Sequence, residues 1–281
     1  MDINTKNNII EHAINIRKSI LEMGKHAGNH AAHMGAALSI VEILSTLYFG
    51  VMNTIEVGMN SSERDRFILS KGHGSLALYA VLIESGIMDK SLMETFEDDY
   101  STLLGHPVKN RDVGIEYTNG SLGMGVGLGV GVGLALKKRN MSNRVYILVG
   151  DGECNEGSCW EAFMAAPNYK LDNIVVIIDQ NGFQLSGENK AIMDIGDMKE
   201  KLSAFGWETI SVDGHDIEQL YEALIYRPQK GPLAIICNTV KGKGFTFSEN
   251  TNTWHHAIVT QKYYDQGMEE LKMTSSFYCG W

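Results

Sequence analysis

The sequence predicts an α/β fold in which helices cover both faces of a parallel sheet. Short apolar runs at residues 145–149, 174–178 and 233–237 are rich in Val and Ile, and they alternate with segments of helical periodicity. Strands that are apolar throughout, rather than at alternate positions, belong in a sheet that is buried on both faces. A chain of 281 residues can bury a full core, as one large domain or two small ones.

The predicted elements follow one another in a simple order. The first half is helical: an amphipathic helix opens the chain and three more segments also have helical spacing, at residues 4–23, 38–50, 74–84 and 122–139. The second half alternates, with strands at 145–149, 174–178, 208–212 and 233–237 and helices at 158–169, 197–205, 217–226 and 260–271. Such alternation is typical of strand–helix–strand units with parallel strands.

Charge and composition argue against several classes of function. The net charge is −10, whereas general binders of nucleic acid or of membrane surfaces need clustered Lys and Arg. The N-terminal helix has no unbroken apolar stretch of the secretory kind, so we expect a cytoplasmic protein. The cysteines match no zinc or redox spacing, and we expect reduced, mostly buried thiols at Cys154, Cys159, Cys237 and Cys279.

The glycine-rich segment at residues 121–136 is apolar enough to suggest a membrane span. A basic cluster, Lys137-Lys138-Arg139, follows it. A spanning helix needs about 20 predominantly apolar residues, and this segment is shorter and rich in glycine. We therefore predict a buried helix that packs closely through its small residues.

Polar residues follow two of the predicted strands at the edge where parallel strands end. Gly150-Asp151-Gly152 follows the first and Asp179-Gln180-Asn181 the second, a spacing that fits one strand–helix–strand unit. Open α/β sheets bind ligands at this edge. The oxygens of Asp151 and Asn181, with the carbonyl of Phe183, suit Mg²⁺ or Ca²⁺ holding a diphosphate. Either side chain alone is more typical of a turn, but the pair at this spacing favours a metal site.

Several histidines stand beside glycine, proline or other turn residues rather than inside long apolar stripes: His33, His73, His106 and His255. An imidazole in such a place can donate to an oxyanion, accept a hydroxyl proton and titrate near neutrality. A lone histidine is more often an ordinary surface or core residue. We assign that ordinary role to His26, His30 and His256.

Three further features have two interpretations each. Glu156 lies near the start of a predicted helix, where the helix dipole alone favours an acid. Residues 116–123 contain a glycine turn that either caps a helix or presents backbone N–H groups and an apolar side chain to a cofactor. The lysines of residues 239–244 follow a strand and are as typical of a solvated loop as of a binding site.

The motifs occur in the order found in transketolases. The chain contains His-x-Gly, DRFILSKGH, GHP, GSLG, GDGxxxEG, QNG and KGKG followed by WH, and this ordered set is specific although each piece is weak. Over residues 16–255 the chain resembles the N-terminal, diphosphate-binding part of a transketolase. The resemblance implies the PP-type α/β fold, thiamine diphosphate and Mg²⁺, for which Ca²⁺ or Mn²⁺ are possible substitutes.

The resemblance also implies roles for individual residues. Asp151, Asn181 and Phe183 would hold the metal, and Glu156 would support the catalytic site from the dimer contact behind the cofactor. The histidines singled out above would surround the thiazolium carbon and the substrate hydroxyls. Contacts with thiamine diphosphate are implied for Gly120, Leu122, Gly150, Asp151, Gly152, Asn181, Phe183, Leu185 and Lys241.

A complete transketolase has two further domains. They supply the glutamate that activates the aminopyrimidine and many of the residues that bind the sugar phosphate. Nothing in residues 1–281 corresponds to them, so we expect one thiamine diphosphate-binding domain here. The pyrimidine-binding domain is then expected on a C-terminal transketolase subunit, in an α₂β₂ heterotetramer. The implied reaction transfers a two-carbon ketol unit from a ketose or ketose phosphate to an aldose or aldose phosphate.

The loop before His33 departs from the family pattern. Ala31-Ala32 stands where Ser-Gly is usual, and the preceding residues 25–30 form a loop about two residues longer. Because this loop borders the substrate entrance in transketolases, the departure favours a non-standard sugar as donor or acceptor.

Other functions stay open on the sequence. The α-subunit of a 2-oxoacid dehydrogenase also carries GDG and an asparagine, but the SKGH and GHP histidines suit polyhydroxylated substrates. A non-catalytic regulatory homologue is a second alternative, against which the intact Asp151, Asn181 and histidines count. A dinucleotide-binding protein is a third, but no GxGxxG follows an early strand.

Overall fold

A parallel sheet of five strands lies at the centre of the computed structural model, which describes the backbone of residues 1–278 and the side chains of residues 1–274. The strands of the sheet are β1 Arg66–Leu69, β2 Val145–Gly150, β3 Ile174–Gln180, β6 Glu208–Asp213 and β7 Leu233–Asn238. A small antiparallel hairpin stands apart from them, formed by β4 Phe183–Gln184 and β5 Gly187–Glu188. The order across the sheet is β1-β2-β3-β7-β6, with every neighbouring pair parallel.

Helices pack on both faces of this sheet, which confirms the predicted fold class. The N-terminal half contains α1 Ile3–His26, α2 Met34–Leu38, α3 Val41–Thr46, α4 Thr54–Val57, α5 Ser75–Glu84 and α6 Met124–Lys138. The C-terminal half contains α7 Gly157–Asn168, α8 Asn189–Ile192, α9 Met198–Phe205, α10 Ile217–Ile225 and α11 Gln261–Tyr278.

Alternate residues of each strand supply two separate cores. In β3, Val175 and Ile177 join the core formed with α1, α3 and α5, whereas Val176 and Ile178 join the core formed with α6 and α7. Both faces of the strand are therefore buried, which explains its continuous apolar sequence. Cys154, Cys159 and Cys237 are buried in these cores as predicted, and Cys279 lies outside the described residues.

The prediction of one continuous helix at residues 38–50 is wrong. The chain instead forms α2 and α3, followed by a wider helical turn at Leu47–Val51. Ser39 lies at the break between the two helices, and its hydroxyl donates to the carboxylate of Asp179 at 2.7 Å. Strand β1 is a second difference: only four residues, RFIL, form it, too few for a strand pattern to stand out.

Helix α6 packs on the sheet through glycines spaced four residues apart. A Cβ added to Gly125, Gly129 or Gly133 would lie 2.4 Å from Ser70, 2.1 Å from Ile147 or 2.8 Å from Ile174. This agrees with the predicted close packing, but the helix is buried on one side only. No helix within residues 1–278 combines the length and the apolar character that crossing a bilayer requires.

A buried acid holds α1 and α3 to the loop after β6, and its charge is expected to make folding dependent on pH. Glu42 forms an ion pair with Arg17 and accepts from Nδ1 of His215 at 3.0 Å, while Nε2 of His215 accepts from the N–H of Val240. Burial alone would raise the pKa of Glu42, but Arg17 and His215 outweigh it and lower the pKa to about 2.

A carboxyl whose pKa is lowered by folding contributes stability that is present above the unfolded value near 4.5 and is lost as the pH falls towards 2. We expect the free energy of unfolding to fall by up to about 3 kcal/mol over this range through Glu42. Denaturant unfolding of Glu42→Gln beside the wild type, at several values between pH 3 and pH 6, measures it. The two proteins should converge at low pH; a difference that does not depend on pH would contradict the assignment.

Candidate active site

Every site residue predicted from the sequence lines one cavity of about 480 Å³ at the carboxyl ends of β2 and β3. A second cavity of about 380 Å³ shares Asp151, Asn181 and Phe183 with the first. The two cavities therefore meet at the predicted metal ligands.

Asp151 directly follows β2, and two backbone groups fix its carboxylate. Oδ1 accepts from the N–H of Gly152 at 2.8 Å and Oδ2 from the N–H of Gly182 at 2.7 Å. Asp151 is buried and forms no ion pair within the described residues. Burial, with a smaller contribution from Asp179, raises the pKa of Asp151 to about 6. A divalent cation would offset this uncompensated buried charge, so the residue fits a metal site.

Asn181 follows β3, and its amide is held in one orientation. Nδ2 donates to Asp179 at 2.8 Å and Oδ1 accepts from the N–H of Phe183 at 3.0 Å. No group of three His, Cys, Asp or Glu side chains is arranged to hold a metal ion in the described part of the chain. One carboxylate, one amide and one carbonyl nevertheless suit a hard cation whose other ligands are phosphate and water.

A buried ion pair that the sequence analysis misses lies beneath this site. Lys71, which is 1% exposed, contacts Asp179, which is 0% exposed. Ser39 and Thr239 also donate to the same carboxylate. Burial alone would raise the pKa of Asp179, but Lys71 and these donors outweigh it and lower the pKa. The pair therefore fixes the ends of β1 and β3 relative to each other.

Glu153 is a second residue that sequence patterns do not single out. Its side chain is buried, and it accepts from the hydroxyl of Ser70 and from the N–H of Gly123 at 2.9 Å and of Gly150 at 3.0 Å. Burial is the main reason that the pKa of Glu153 is raised. This carboxyl group connects the turn that carries Gly120 and Leu122 to the end of β2.

The predicted histidines meet around the ring of His33. Ring centroids lie 5.8 Å from it for His73, 5.4 Å for His106 and 5.5 Å for His255. Burial and then His256 lower the pKa of His33 to about 3, and burial and then Lys241 lower the pKa of His255 to about 4. Burial likewise lowers the pKa of His73. These three imidazoles are therefore neutral near pH 7 and can both donate and accept a hydrogen bond.

His256 stands beside this group, and the ordinary role predicted for it stays a prediction. Its side chain is exposed, but its ring centroid lies 4.4 Å from that of His33. Ala32 and Ala257 exchange two backbone hydrogen bonds of 3.0 Å, which bring the two segments together. His26, by contrast, makes a surface contact with Asp98 at 3.1 Å.

Lys241 is buried, so the interpretation as a solvated loop charge is wrong. Its Nζ lies 2.8 Å from Oδ1 of Asn252, 3.0 Å from Nδ1 of His255 and 5.4 Å from the ring centroid of Phe183. Burial, with a smaller contribution from Lys71, lowers the pKa of Lys241 to about 8. The lysine therefore places a positive charge inside the cavity.

Glu156 and Leu185 lie at the rim of the cavity. Glu156 is the N-cap residue of α7 but makes no capping hydrogen bond, and its side chain is exposed. Leu185 is 67% exposed on the loop of the β4–β5 hairpin. Both side chains can contact another surface laid across the cavity mouth.

Comparisons with known proteins identify the family of this chain. The family described as "Transketolase, thiamine diphosphate binding domain" matches residues 10–278. An apulose-4-phosphate transketolase subunit of Actinobacillus succinogenes is 40% identical over 92% of this chain and 94% of its own length. The 6-deoxy-6-sulfo-D-fructose transketolase subunit SqwG of a Clostridium species is 38% identical, over 94% and 96%.

Longer proteins match over part of their length. Human transketolase is 35% identical over 91% of this chain, which covers 41% of that protein. The crystal structure of transketolase from Campylobacter jejuni superposes with a TM-score of 0.84 at 28% identity, over 97% of this chain and 43% of that one.

Fold and site thus define a thiamine diphosphate-binding protein. The chain belongs to the transketolase family, in which it corresponds to the N-terminal, thiamine diphosphate-binding part. The resemblance found in the sequence, to the N-terminal subunit of a split transketolase, is confirmed.

Proposed function

We propose that this chain is one subunit of a thiamine diphosphate- and Mg²⁺-dependent transketolase that moves a two-carbon ketol unit from a ketose to an aldose. The observation that carries the proposal is the single cavity in which Asp151, Asn181, Lys241 and the group of histidines face one another. A cation site at one end and polar imidazoles at the other suit an anionic cofactor and a polyhydroxylated substrate.

Residues at the two ends of the cavity are proposed to have different roles. Asp151, Asn181 and the carbonyl of Phe183 would hold Mg²⁺ and through it the diphosphate, with Lys241 adding positive charge. When bound, thiamine diphosphate supplies a nucleophilic carbon and an electron sink for the two-carbon unit. The histidines orient the sugar, donate to its carbonyl oxygen and take up hydroxyl protons; they are His33, His73, His106 and His255.

The substrate is proposed to be a specialised sugar or sugar phosphate. Two similar proteins carry names that specify apulose 4-phosphate and 6-deoxy-6-sulfo-D-fructose. In this chain the ring of His256 lies beside that of His33, and Ala32, one of the two residues that depart from the family pattern, pairs with Ala257. The departure from the family pattern therefore lies next to the histidine group.

The proposed partner is a C-terminal transketolase subunit with a pyrimidine-binding domain, in a cytoplasmic α₂β₂ assembly. Residues 1–281 are proposed as one thiamine diphosphate-binding domain of that assembly. Exposed apolar side chains support a partner. They are Met124 and Leu128 on α6, Met164 on α7, and Leu185 and Met193, which line the cavity. A subunit laid here would close the cavity and exclude water.

Reconstitution with the partner tests the proposed function. This chain, mixed with the product of the neighbouring reading frame, thiamine diphosphate and Mg²⁺, should transfer a ketol unit from xylulose 5-phosphate or from one of the two specialised donors. His73→Gln should lower kcat by about 10²–10⁴-fold, since general acid–base groups contribute this much.

Three outcomes of this experiment discriminate among the alternatives. Turnover by the chain alone would contradict the need for a partner. Release of carbon dioxide from pyruvate, with no ketol transfer, would favour a 2-oxoacid dehydrogenase subunit. No cofactor binding, even by the pair, would favour a non-catalytic homologue.

A further inference from the structure

The second cavity contains a buried amide that has no partner. Asn189 is 6% exposed, and neither Nδ2 nor Oδ1 makes a hydrogen bond within the described residues. An amide taken out of water and left unpaired costs free energy. A ligand, an ion or a water can supply the bonds that such a group lacks within the chain.

Backbone contacts place Asn189 beside the predicted metal ligands. It begins α8, directly after the β4–β5 hairpin, and its N–H donates to the carbonyl of Gly182 at 2.9 Å. The N–H of Gly182 in turn donates to the carboxylate of Asp151. One short chain of hydrogen bonds thus joins Asn189 to the predicted cation site.

The side chain points towards the same place. Oδ1 of Asn189 lies 3.2 Å from the point that a Cβ on Gly152 would occupy. The amide also lies beside the carboxylate of Asp151, although no hydrogen bond of ordinary geometry joins the two. The unpaired amide therefore faces the turn that carries Asp151, with space beside it in the second cavity.

We propose that Asn189 is a further binding residue for the magnesium–diphosphate group at Asp151. Its Nδ2 can donate to a phosphate oxygen, and its Oδ1 can accept from a water in the hydration shell of Mg²⁺. This inference rests on the proposed function. It adds a residue that lies outside the GDG and QNG motifs, in the segment Glu188-Asn189-Lys190.

Two asparagine variants give a matched test. Asn173 also has an unpartnered buried Oδ1, but it precedes β3 at the opposite edge of the sheet. Thiamine diphosphate with Mg²⁺ is titrated by calorimetry into this chain assembled with its partner. Asn189→Ala should raise the Kd about tenfold, whereas Asn173→Ala should stay within about twofold of the wild type.

Thermal unfolding of the same proteins without cofactor separates binding from structure. Removal of an unpaired amide should leave the Tm of Asn189→Ala equal to that of the wild type or higher. The gain in Tm on adding cofactor should shrink in this variant. Asn189→Asp, which places a second negative charge beside Asp151, should bind more weakly than Asn189→Ala when both are measured with cofactor at the same pH.

The outcomes are distinct. A wild-type assembly that does not bind thiamine diphosphate overturns the proposed function, and this inference with it. A wild type that binds normally beside an equally tight Asn189→Ala overturns the role of Asn189 alone. A weaker Asn189→Ala whose cofactor-free Tm is also lowered indicates a structural role and overturns the inference too.

Discussion

Asp151→Ala should abolish binding of thiamine diphosphate with Mg²⁺, raising the Kd by at least about 100-fold, which corresponds to about 2.7 kcal/mol. Asp151 is the only carboxylate among the predicted ligands, and Mg²⁺ held by one or two protein carboxylates depends strongly on each of them. Its two oxygens are already oriented by the N–H groups of Gly152 and Gly182. The loss should therefore come from charge and coordination rather than from disorder. Calorimetric titration of the chain with its partner measures it.

Asp151→Asn is the control that isolates charge. It keeps the shape of the side chain and one oxygen acceptor, but its Nδ2 would face one of the two N–H groups that the carboxylate accepts from, those of Gly152 and Gly182. Mg²⁺ affinity should still be lost because the charge is removed. At pH 7 the wild-type carboxylate is buried without a cation, and burial has raised its pKa to about 6. Removing the buried charge and losing one of these two hydrogen bonds oppose each other, so the cofactor-free Tm should stay close to that of the wild type. Binding within about threefold of the wild type in both variants would remove Asp151 from the site.

Lys71→Met is expected to have the largest effect on stability. Lys71 is the cation that compensates the fully buried carboxylate of Asp179. Removing one partner of a buried ion pair leaves an unpaired buried charge and costs about 3–5 kcal/mol. Urea unfolding of wild type and variant, with a common slope, measures the difference.

The chain offers a matched control for this substitution. Lys137 forms an ion pair of 2.7 Å with Asp172, but the two side chains are 41% and 59% exposed. Lys137→Met should cost less than about 1 kcal/mol, as exposed pairs do. Equal losses for the two variants would show that burial of the Lys71–Asp179 pair has no special weight.

The main strands could be predicted because each one carries its own signal. Strands β2, β3, β6 and β7 begin at the predicted residues and extend slightly beyond the predicted ends. Strand β1 has only four residues, and a pattern of that length does not stand out from its surroundings. At the break between α2 and α3, Ser39 donates to Asp179, which is 140 residues away in sequence. No local pattern contains that information.

Only part of the candidate site could likewise be predicted from the sequence. Asp151, Asn181 and the histidines stand in short motifs, and all of them line the cavity. Lys71 lies within DRFILSKGH and Glu153 within GDGxxxEG, but neither motif reveals their roles, because each role is defined by contacts with residues on other elements. Asn189 is recognisable only from its burial and its lack of partners. Sequence motifs thus locate the groups facing the cavity but not the buried groups that support them.

Helix α6 has a second set of glycines whose presence the fold of this chain does not require. Gly127 and Gly131 face away from the sheet, and a Cβ at either position would meet nothing within 4 Å. Glycine inside a helix is less favourable than alanine by about 1 kcal/mol per residue. Alanine would fit at both positions, so α6 in the isolated subunit is less stable than an alanine-containing helix with the same packing on the sheet would be. Because these glycines have no side chain, another helix could approach the backbone of α6 more closely here than at any other residue type. The same glycines therefore lower the stability of α6 and leave room for close packing against another surface.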